Sequence, residues 1–299
     1  MRPSRGLLVL AALAVGTTWP AALALWFRVG ERGFATSFFL LGLSLGPCLA
    51  IYALAPVARK QAARRLVLLT GGSSIMAFSI LGAVNLDLEG FFMLVLTGTM
   101  GAAVGHTLVT VILGPLVFGR VLCGWGCWRA MVLELLPLGH RAGRRGGVWH
   151  WLPLAGLAAS ASGALLSLAL GQHPGGTPDA VHAASLRALA FAFGTYYLAS
   201  VSLGFALKDP RAFCKYLCPS SVILGLTSRL SLLQMTGDRR LCNACGACSR
   251  VCPMDIDVTE LARHGQRVSS GQCILCQRCA HACPTGALHL GVGLLSRRA

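Results

Sequence analysis

Charged residues are scarce in this chain of 299 residues. Asp, Glu, Lys and Arg make up only 12% of it, about half of the share in a typical soluble domain. Hydrophobic residues make up 55%, and the mean hydropathy is +0.67. Acidic residues are the rarest, with 10 against 26 Lys and Arg, which gives a net charge of +16. This composition excludes an ordinary soluble protein and favours one embedded in a membrane.

Six apolar stretches are long enough to cross a bilayer as helices, which takes about 20 residues. They lie near residues 6–27, 34–57, 66–84, 91–118, 151–171 and 185–207. All but three of the 26 Lys and Arg fall on one side of these stretches. Because positively charged connections face the cytoplasm, we predict a multi-pass protein of the bacterial inner membrane with both termini inside. The bilayer then accounts for the positive charge, and no nucleic-acid partner is expected.

The first apolar stretch has a second interpretation. A basic start, an apolar run and small residues near Ala22–Ala24 also occur in cleaved signal peptides. The apolar run is longer than the roughly 7–15 residues of that class, which favours a retained helix.

Eight of the 13 cysteines form two copies of one spacing, C-x2-C-x2-C-x3-C followed by proline. In bacterial ferredoxins this run binds [4Fe–4S] clusters, and its fourth cysteine ligates the other cluster. The spacing therefore predicts two clusters in a reducing compartment. Zinc knuckles or a disulfide framework are the alternatives. The predicted ligands are Cys242, Cys245, Cys248 and Cys283 for the first cluster, and Cys273, Cys276, Cys279 and Cys252 for the second.

Four other cysteines form two C-x3-C pairs, Cys123 with Cys127 and Cys214 with Cys218. The pairs lie 91 residues apart, each after an apolar stretch and before an amphipathic run. This arrangement favours an internal repeat of helical hairpins over two unrelated interfacial helices. At i,i+4 spacing, each pair is expected on one helix face. The thiols are candidates for a further metal site, a cluster or a redox-active dithiol, whereas plain helix packing is the alternative. Cys48 is expected to act as an apolar side chain.

Ionisable residues are almost absent from the apolar stretches. His106, near the centre of the fourth stretch, is a candidate quinol contact that would accept a proton. A hydrogen bond to a neighbouring helix is the alternative role. No second histidine lies at membrane depth, which argues against a b-type haem. Glu134, in the first amphipathic run, is expected to be solvated.

The predicted fold is an α-helical membrane protein of about six transmembrane helices, with a small C-terminal α+β ferredoxin domain. The predicted boundaries are 1–207 for the transmembrane part, which includes a cytoplasmic C-x3-C segment at 119–150. Residues 208–232 form a connector with the second pair, and 233–299 form the ferredoxin domain.

The doubled cluster run and the C-x3-C pairs resemble membrane-bound polyferredoxins. These include the NapH type of quinol-dehydrogenase membrane subunit, the NosR type of regulator and a methylamine-utilisation ferredoxin. The likeness covers roughly residues 66–290. It departs at Trp128, where the family has proline, whereas Pro219 follows the second pair. The resemblance implies a redox partner protein on the extracytoplasmic side of the membrane.

The expected function is electron transfer between the quinol pool, or a redox partner, and two [4Fe–4S] clusters at the cytoplasmic face. The chain would then be a subunit of a respiratory enzyme complex rather than a stand-alone enzyme. The alternative is an assembly or regulatory factor that reduces or delivers a metal to a partner enzyme.

Overall fold

The computed structural model describes residues 32–292 except 83, 99–101, 141–142, 144, 171–177 and 269, together with scattered positions between 12 and 27. Most of the first predicted span therefore lies outside the described residues. The helices are α1 (Arg32–Leu54), α2 (Lys60–Leu81), α3 (Leu88–Leu96), α4 (Ala102–Thr107), α5 (Gly114–Phe118), α6 (Val121–Trp125), α7 (Trp128–Leu133), α8 (Leu152–Ala169), α9 (Pro178–Leu207), α10 (Ala212–Tyr216), α11 (Ser220–Thr227), α12 (Ala247–Arg250), α13 (Val258–Arg263) and α14 (Arg278–Ala282). A π-helix (Leu108–Leu113) joins α4 to α5, and the strands are β1 (Leu233–Gly237) and β2 (Leu288–Val292).

Three helical segments of the described chain are long and apolar enough to cross a membrane: Val57–Leu81, Leu152–Ala169 and Leu189–Leu207. The bent pair Val104–Phe118 with Val121–Leu133 makes a fourth if it counts as one span. Apolar side chains on these helices are exposed, with Leu166 at 60% and Leu198 at 71%. Such exposure suits lipid rather than water, so the helices are compatible with a membrane protein.

The second predicted span, near 34–57, corresponds to α1, which is 23 residues long and has its apolar part at Leu41–Leu54. One predicted span differs from the structure. The fourth, near 91–118, is not one continuous helix, because α3 ends at Leu96 and Gly98 adopts a φ of +67°. Glycine has no Cβ, so it takes this left-handed conformation at little cost and ends the helix.

The contacts within the chain divide it into two compact units. The first contains the described residues up to Asn85, together with Trp125–Leu135 and Gly175–Tyr196. In this unit α2 packs against α1 and α7. Cys48 is buried with apolar neighbours on α1 and α2, in agreement with the expected apolar role.

A buried ion pair joins α2 to the end of α7. Arg64, which is fully buried, donates to Glu134 Oε2 at 2.7 Å, and Arg65 Nε lies 3.4 Å from the same oxygen. The prediction that Glu134 is solvated is wrong, since its side chain is only 6% exposed. Packing of α7 on α2 places the carboxylate against the two arginines, whose charges offset the cost of its burial.

The second unit contains Leu86–Gly124, Leu136–Pro174 and Tyr197–Ala299. Its only described sheet is antiparallel and pairs β1 with β2, from Leu233 opposite Val292 to Gly237 opposite Leu288. A hydrogen bond connects the start of β1 to α5: Leu232 N–H, just before the strand, donates to Leu116 O at 3.0 Å. The two strands and the small helices α12 to α14 form the C-terminal ferredoxin-type part, as the sequence predicts.

Candidate iron–sulfur centres

The two cysteine runs fold into loops with the same backbone pattern. In each loop the residues on both sides of the second cysteine are left-handed: Ala244 and Gly246 in the first, Leu275 and Gln277 in the second. Left-handed residues of this kind form nest-like concavities, in which backbone N–H groups surround anions and Fe–S clusters. For a non-glycine residue the conformation costs on the order of 1–3 kcal/mol. The strained residues therefore lie where each loop bends around a central space.

One such space, the inner cavity, has a volume of about 360 Å³ and is lined by Cys252, Cys273, Cys276 and Cys279. The other lining residues are mainly apolar and include Met235 and Met254, each 1% exposed. Burial raises the pKa of the Cys273 thiol to about 12, and it also raises the pKa values of Cys252 and Cys279. These thiols must lose their protons to bind a metal.

The other space, the outer cavity, has a volume of about 290 Å³ and is lined by Cys242, Cys245, Cys248 and Cys283. Its lining is more polar and includes the exposed Cys245 and two threonines that lie close to the sulfurs. Thr259 Oγ1 lies 3.3 Å from Cys248 Sγ, and Thr285 Oγ1 lies 3.5 Å from Cys283 Sγ. Burial alone would raise the pKa of Cys283, but hydrogen bonds from Thr285 and from backbone N–H groups outweigh it and lower that pKa.

The two cavities group the eight cysteines in the same sets that the spacing predicts. Each set takes three cysteines from one run and the last cysteine from the other. Among the described residues, no three His, Cys, Asp or Glu side chains come close enough to share a single metal ion. The four thiols of each cavity surround a space instead, and this donor set fits a [4Fe–4S] cluster.

The C-x3-C pairs have a local structure that the sequence analysis did not predict. Cys123 lies in α6 and Cys214 in α10, both helices of five residues, whereas Cys127 and Cys218 follow those helices and precede α7 and α11. The expectation that each pair shares one helix face is therefore wrong. Proline after Cys218 disfavours a helical conformation there, and Cys127 is extended with a ψ of 123°. The equivalent local structure of the two segments favours an internal repeat.

Three of these four thiols belong to the second unit, where they surround an arginine. The Arg120 guanidinium hydrogen bonds with Cys123 and interacts electrostatically with Cys214 and Cys218. Arg211 Nη1 donates to Cys123 O at 3.0 Å. Cys127 belongs to the first unit, where it packs against the buried side chains of α2 and α7.

A buried ion group, formed by His140, Asp209, Lys215 and Asp255, lies beside the inner cavity. Lys215 is fully buried and pairs with Asp209 and with Asp255, the latter at 2.5 Å, while His140 Nε2 lies 3.1 Å from Asp255 Oδ1. Because Lys215 follows Cys214 directly and Asp255 is three residues after Cys252, the group links the second C-x3-C segment to a loop of the inner cavity.

The charges of the buried ion group shift its pKa values in opposite directions. The carboxylates of Asp209 and Asp255 raise the pKa of His140 to about 9. Burial would raise the pKa of Asp255, but hydrogen bonds from His140 and Lys215 outweigh it and hold that pKa at about 2. The sequence analysis missed this group because its members are far apart in the chain. The sequence feature that could have indicated the group is the presence of charged residues close to cysteines in a chain that has few charges.

His106 lies in α4 and is half-buried. Its role as a quinol contact stays a prediction.

Two families match parts of the chain. One is described as a 4Fe-4S dicluster domain and matches residues 234–286. The other is described as a 4Fe-4S binding domain and matches residues 101–145, 191–234 and 279–299. The chain carries 4Fe–4S ferredoxin-type domains. Two of the matched regions of the second family contain the C-x3-C segments, which supports their relation as repeats.

Curated relatives share part of the chain. An uncharacterised protein of Methanocaldococcus jannaschii is 33% identical over 31% of this chain and 35% of its own length. YccM of Escherichia coli, described as a candidate electron transport protein, is 28% identical over 62% of this chain and 55% of its own length. The methylamine utilisation ferredoxin-type protein MauN of Methylorubrum extorquens is 30% identical over 52% and 56%. The chain thus spans about half or less of the length of these relatives. No solved structure gives a significant match.

Proposed function

We propose that this chain is a multi-pass membrane electron carrier that holds two [4Fe–4S] clusters, one in each cavity. The observation that carries the proposal is the division of eight cysteines between two cavities, with three from one run and one from the other in each. Bound clusters would supply one-electron redox chemistry. The chain would supply the thiolates, hold the two clusters close together and attach them to the membrane.

The order of the centres follows from the surroundings of the cavities. The loop of the inner cavity packs against α6, because Ile274 O lies so close to Gly124 that a Cβ there would collide with it. Cys123, which directly precedes Gly124 on α6, therefore lies next to the inner cavity. The outer cavity carries the exposed Cys245. Electrons would pass between quinol or a membrane partner and the inner cluster, and then to the outer cluster and a soluble partner.

The relatives and the charge distribution support this assignment. YccM is described as a candidate electron transport protein and MauN as ferredoxin-type. Positively charged connections favour a cytoplasmic location for both termini and both clusters, in the inner membrane of a bacterium. A respiratory enzyme complex would then be the redox partner, as in the NapH type of protein that the sequence resembles.

The test is reduction of the clusters by quinol in the full chain, purified anaerobically in lipid nanodiscs and followed by EPR. A carrier linked to the quinol pool should exchange electrons with added quinol or quinone within turnover time. Replacing the candidate quinol contact (His106→Leu) should slow this exchange without changing the cluster spectra. The matched variant His150→Leu, two residues before α8, should leave the rate unchanged. Intact clusters that react with neither quinol nor quinone would exclude this function.

A maturation factor is a second candidate, because three C-x3-C thiols that do not line either cavity interact with Arg120. Such a factor would use these thiols to reduce or deliver a metal to a partner enzyme. Changing Cys123 and Cys127 to serine would then abolish metal transfer and leave electron exchange with quinol intact. If the chain is only an electron carrier, neither the wild type nor the serine variant should transfer metal.

A further inference from the structure

A buried arginine occupies the same position in both C-x3-C segments. Arg120 precedes Cys123 by three residues, and Arg211 precedes Cys214 by three residues. Both side chains are 1% exposed. The repeated pattern is therefore R-x2-C-x3-C, and each copy places a guanidinium group beside its first thiol.

Arg120 lies between the C-x3-C thiols and the inner cavity. On one side it interacts with the side chains of Cys123, Cys214 and Cys218. On the other side Arg120 Nη1 donates to Gly271 O at 2.9 Å and to Gln272 Oε1 at 3.0 Å. These two acceptors directly precede Cys273, whose thiol also interacts electrostatically with Arg120. The Arg120 guanidinium thus interacts both with the C-x3-C thiols and with the loop of the inner cavity.

The surroundings of Arg120 contain cysteines where a buried arginine usually has a carboxylate. Within the described chain, the side chains that act on it electrostatically include Cys123, Cys214 and Cys218, and its Nε has no hydrogen-bond acceptor. A buried cation is costly unless an anion lies nearby. Cysteine sulfur supplies that anion when it is a thiolate, and a metal-bound cysteine is a thiolate.

We propose that Arg120 is the shared counter-charge of the inner cavity and the C-x3-C thiols, and that it raises the reduction potential of the cluster in the inner cavity. The proposal rests on the proposed function, because it requires a cluster there. Reduction adds one electron to the cluster and leaves it more negative by one charge. A fixed positive charge stabilises that reduced form, so Arg120 favours electron transfer to the inner cluster.

The test is an EPR-monitored redox titration of the full chain with Arg120 changed. Arg120→Gln removes the charge, and it should lower the reduction equilibrium constant of the inner cluster about tenfold, which is about 59 mV for one electron. Arg120→Lys keeps the charge and loses the planar fork, so it should retain most of the wild-type potential. The signal of the inner cluster is identified by its loss in Cys276→Ser. In every Arg120 variant the potential of the outer cluster should stay unchanged.

Arg267→Gln is the matched control. Arg267 lies in the same ferredoxin-type part and donates to the backbone oxygens of Ser231 and Leu232 rather than to groups at a cysteine. It should leave both potentials unchanged. An unchanged inner potential in Arg120→Gln would overturn the proposal. Equal losses in the Gln and Lys variants would also overturn it, since they would indicate that Arg120 only attaches the loop.

A second variant tests the same coupling from the thiol side. Replacing Cys123, Cys214 and Cys218 together by serine removes the sulfurs that share the charge of Arg120 with the inner cavity, so the inner cluster should become easier to reduce. If the Arg120→Gln protein loses the inner cluster, the triple serine variant becomes the decisive measurement. An unchanged potential of the inner cluster in that variant would refute the proposal. A wild-type protein without a reducible cluster in the inner cavity would instead refute the proposed function itself.

Discussion

At the scale of single residues, buried charge distinguishes this protein from a simple hydrophobic bundle with a ferredoxin attached. Arg64, Arg120, Arg211 and Lys215 are each at most 1% exposed. Charged groups are rarely buried to this extent without partners. Arg64 and Lys215 pair with carboxylates, whereas Arg120 faces cysteines.

Removing the central cation of the buried ion group should destabilise the second unit strongly. In Lys215→Met, Asp209 and Asp255 would remain buried beside each other without the cation that lies between them. We expect a loss of about 3–5 kcal/mol, the usual cost of breaking a buried pair from one side. Denaturant unfolding of the full chain, followed by circular dichroism, measures this loss. Lys208→Met is the control, because Lys208 is exposed, and it should change stability by less than about 0.5 kcal/mol. Equal stability of the two variants would contradict the assignment.

The stability of the second unit should fall as the pH rises above neutrality. The folded pKa of His140 is raised to about 9 from an ordinary 6.5, so its protonated form is stabilised by folding. That contribution is complete below pH 6.5, declines as the pH rises and is lost as the pH passes through about 9. The groups that face His140 are Asp209, Lys215 and Asp255.

The measurement is the unfolding midpoint of the wild type and of His140→Gln between pH 6 and pH 10. The difference between the two proteins should be largest at the acidic end and disappear at the alkaline end. Asp255 acts in the opposite sense, because its pKa is held at about 2: its contribution is lost only as the pH falls below 3.8 toward 2. If the difference in unfolding midpoint between the wild type and His140→Gln grew with rising pH, the raised pKa of His140 would be contradicted.

At the scale of elements, the sequence predicted the cysteine loops better than the C-x3-C segments. The spacing of each run indicates which cysteines meet. The seven residues from the first to the third cysteine can curve around one space, whereas the fourth cysteine lies too far along the chain to reach the same space. The i,i+4 spacing of the C-x3-C pairs was misleading, since each five-residue helix ends before the second cysteine. Neither the end of α6 at Trp125 nor the extended conformation of Cys127 follows from periodicity alone. The buried ion group was equally inaccessible, because it depends on contacts between distant segments.

The contact between α6 and the loop of the inner cavity should tolerate no added side chain. Gly124→Ala would place a Cβ against Ile274 O, and the backbone of the loop would have to move. We expect a loss of about 1–3 kcal/mol, as for other overpacked sites, together with a changed EPR signal of the inner cluster. Gly139→Ala is the control, because no atom lies within 4 Å of an added Cβ there. An unaltered inner signal in Gly124→Ala would contradict the close packing of these two elements.

At the scale of the whole molecule, composition and hydropathy predicted a membrane protein, with which the described helices are compatible, and they overstated the regularity of the helices. Three described helical segments reach the length of a span, and a bent pair supplies a fourth. The fourth predicted stretch is broken at Gly98, and a hydropathy pattern does not register a single left-handed residue. Apolar length alone therefore predicts membrane association but not the path of each helix.

The account depends on two four-cysteine cavities that each hold a [4Fe–4S] cluster. The most direct test is to count iron and acid-labile sulfide in the anaerobically purified chain after Cys123, Cys127, Cys214 and Cys218 have been changed to serine. These changes remove any contribution from the C-x3-C pairs and leave both cavities intact. We predict about eight iron atoms and about eight sulfides per chain. About four of each would leave only one cluster, and zinc without sulfide would contradict the account altogether.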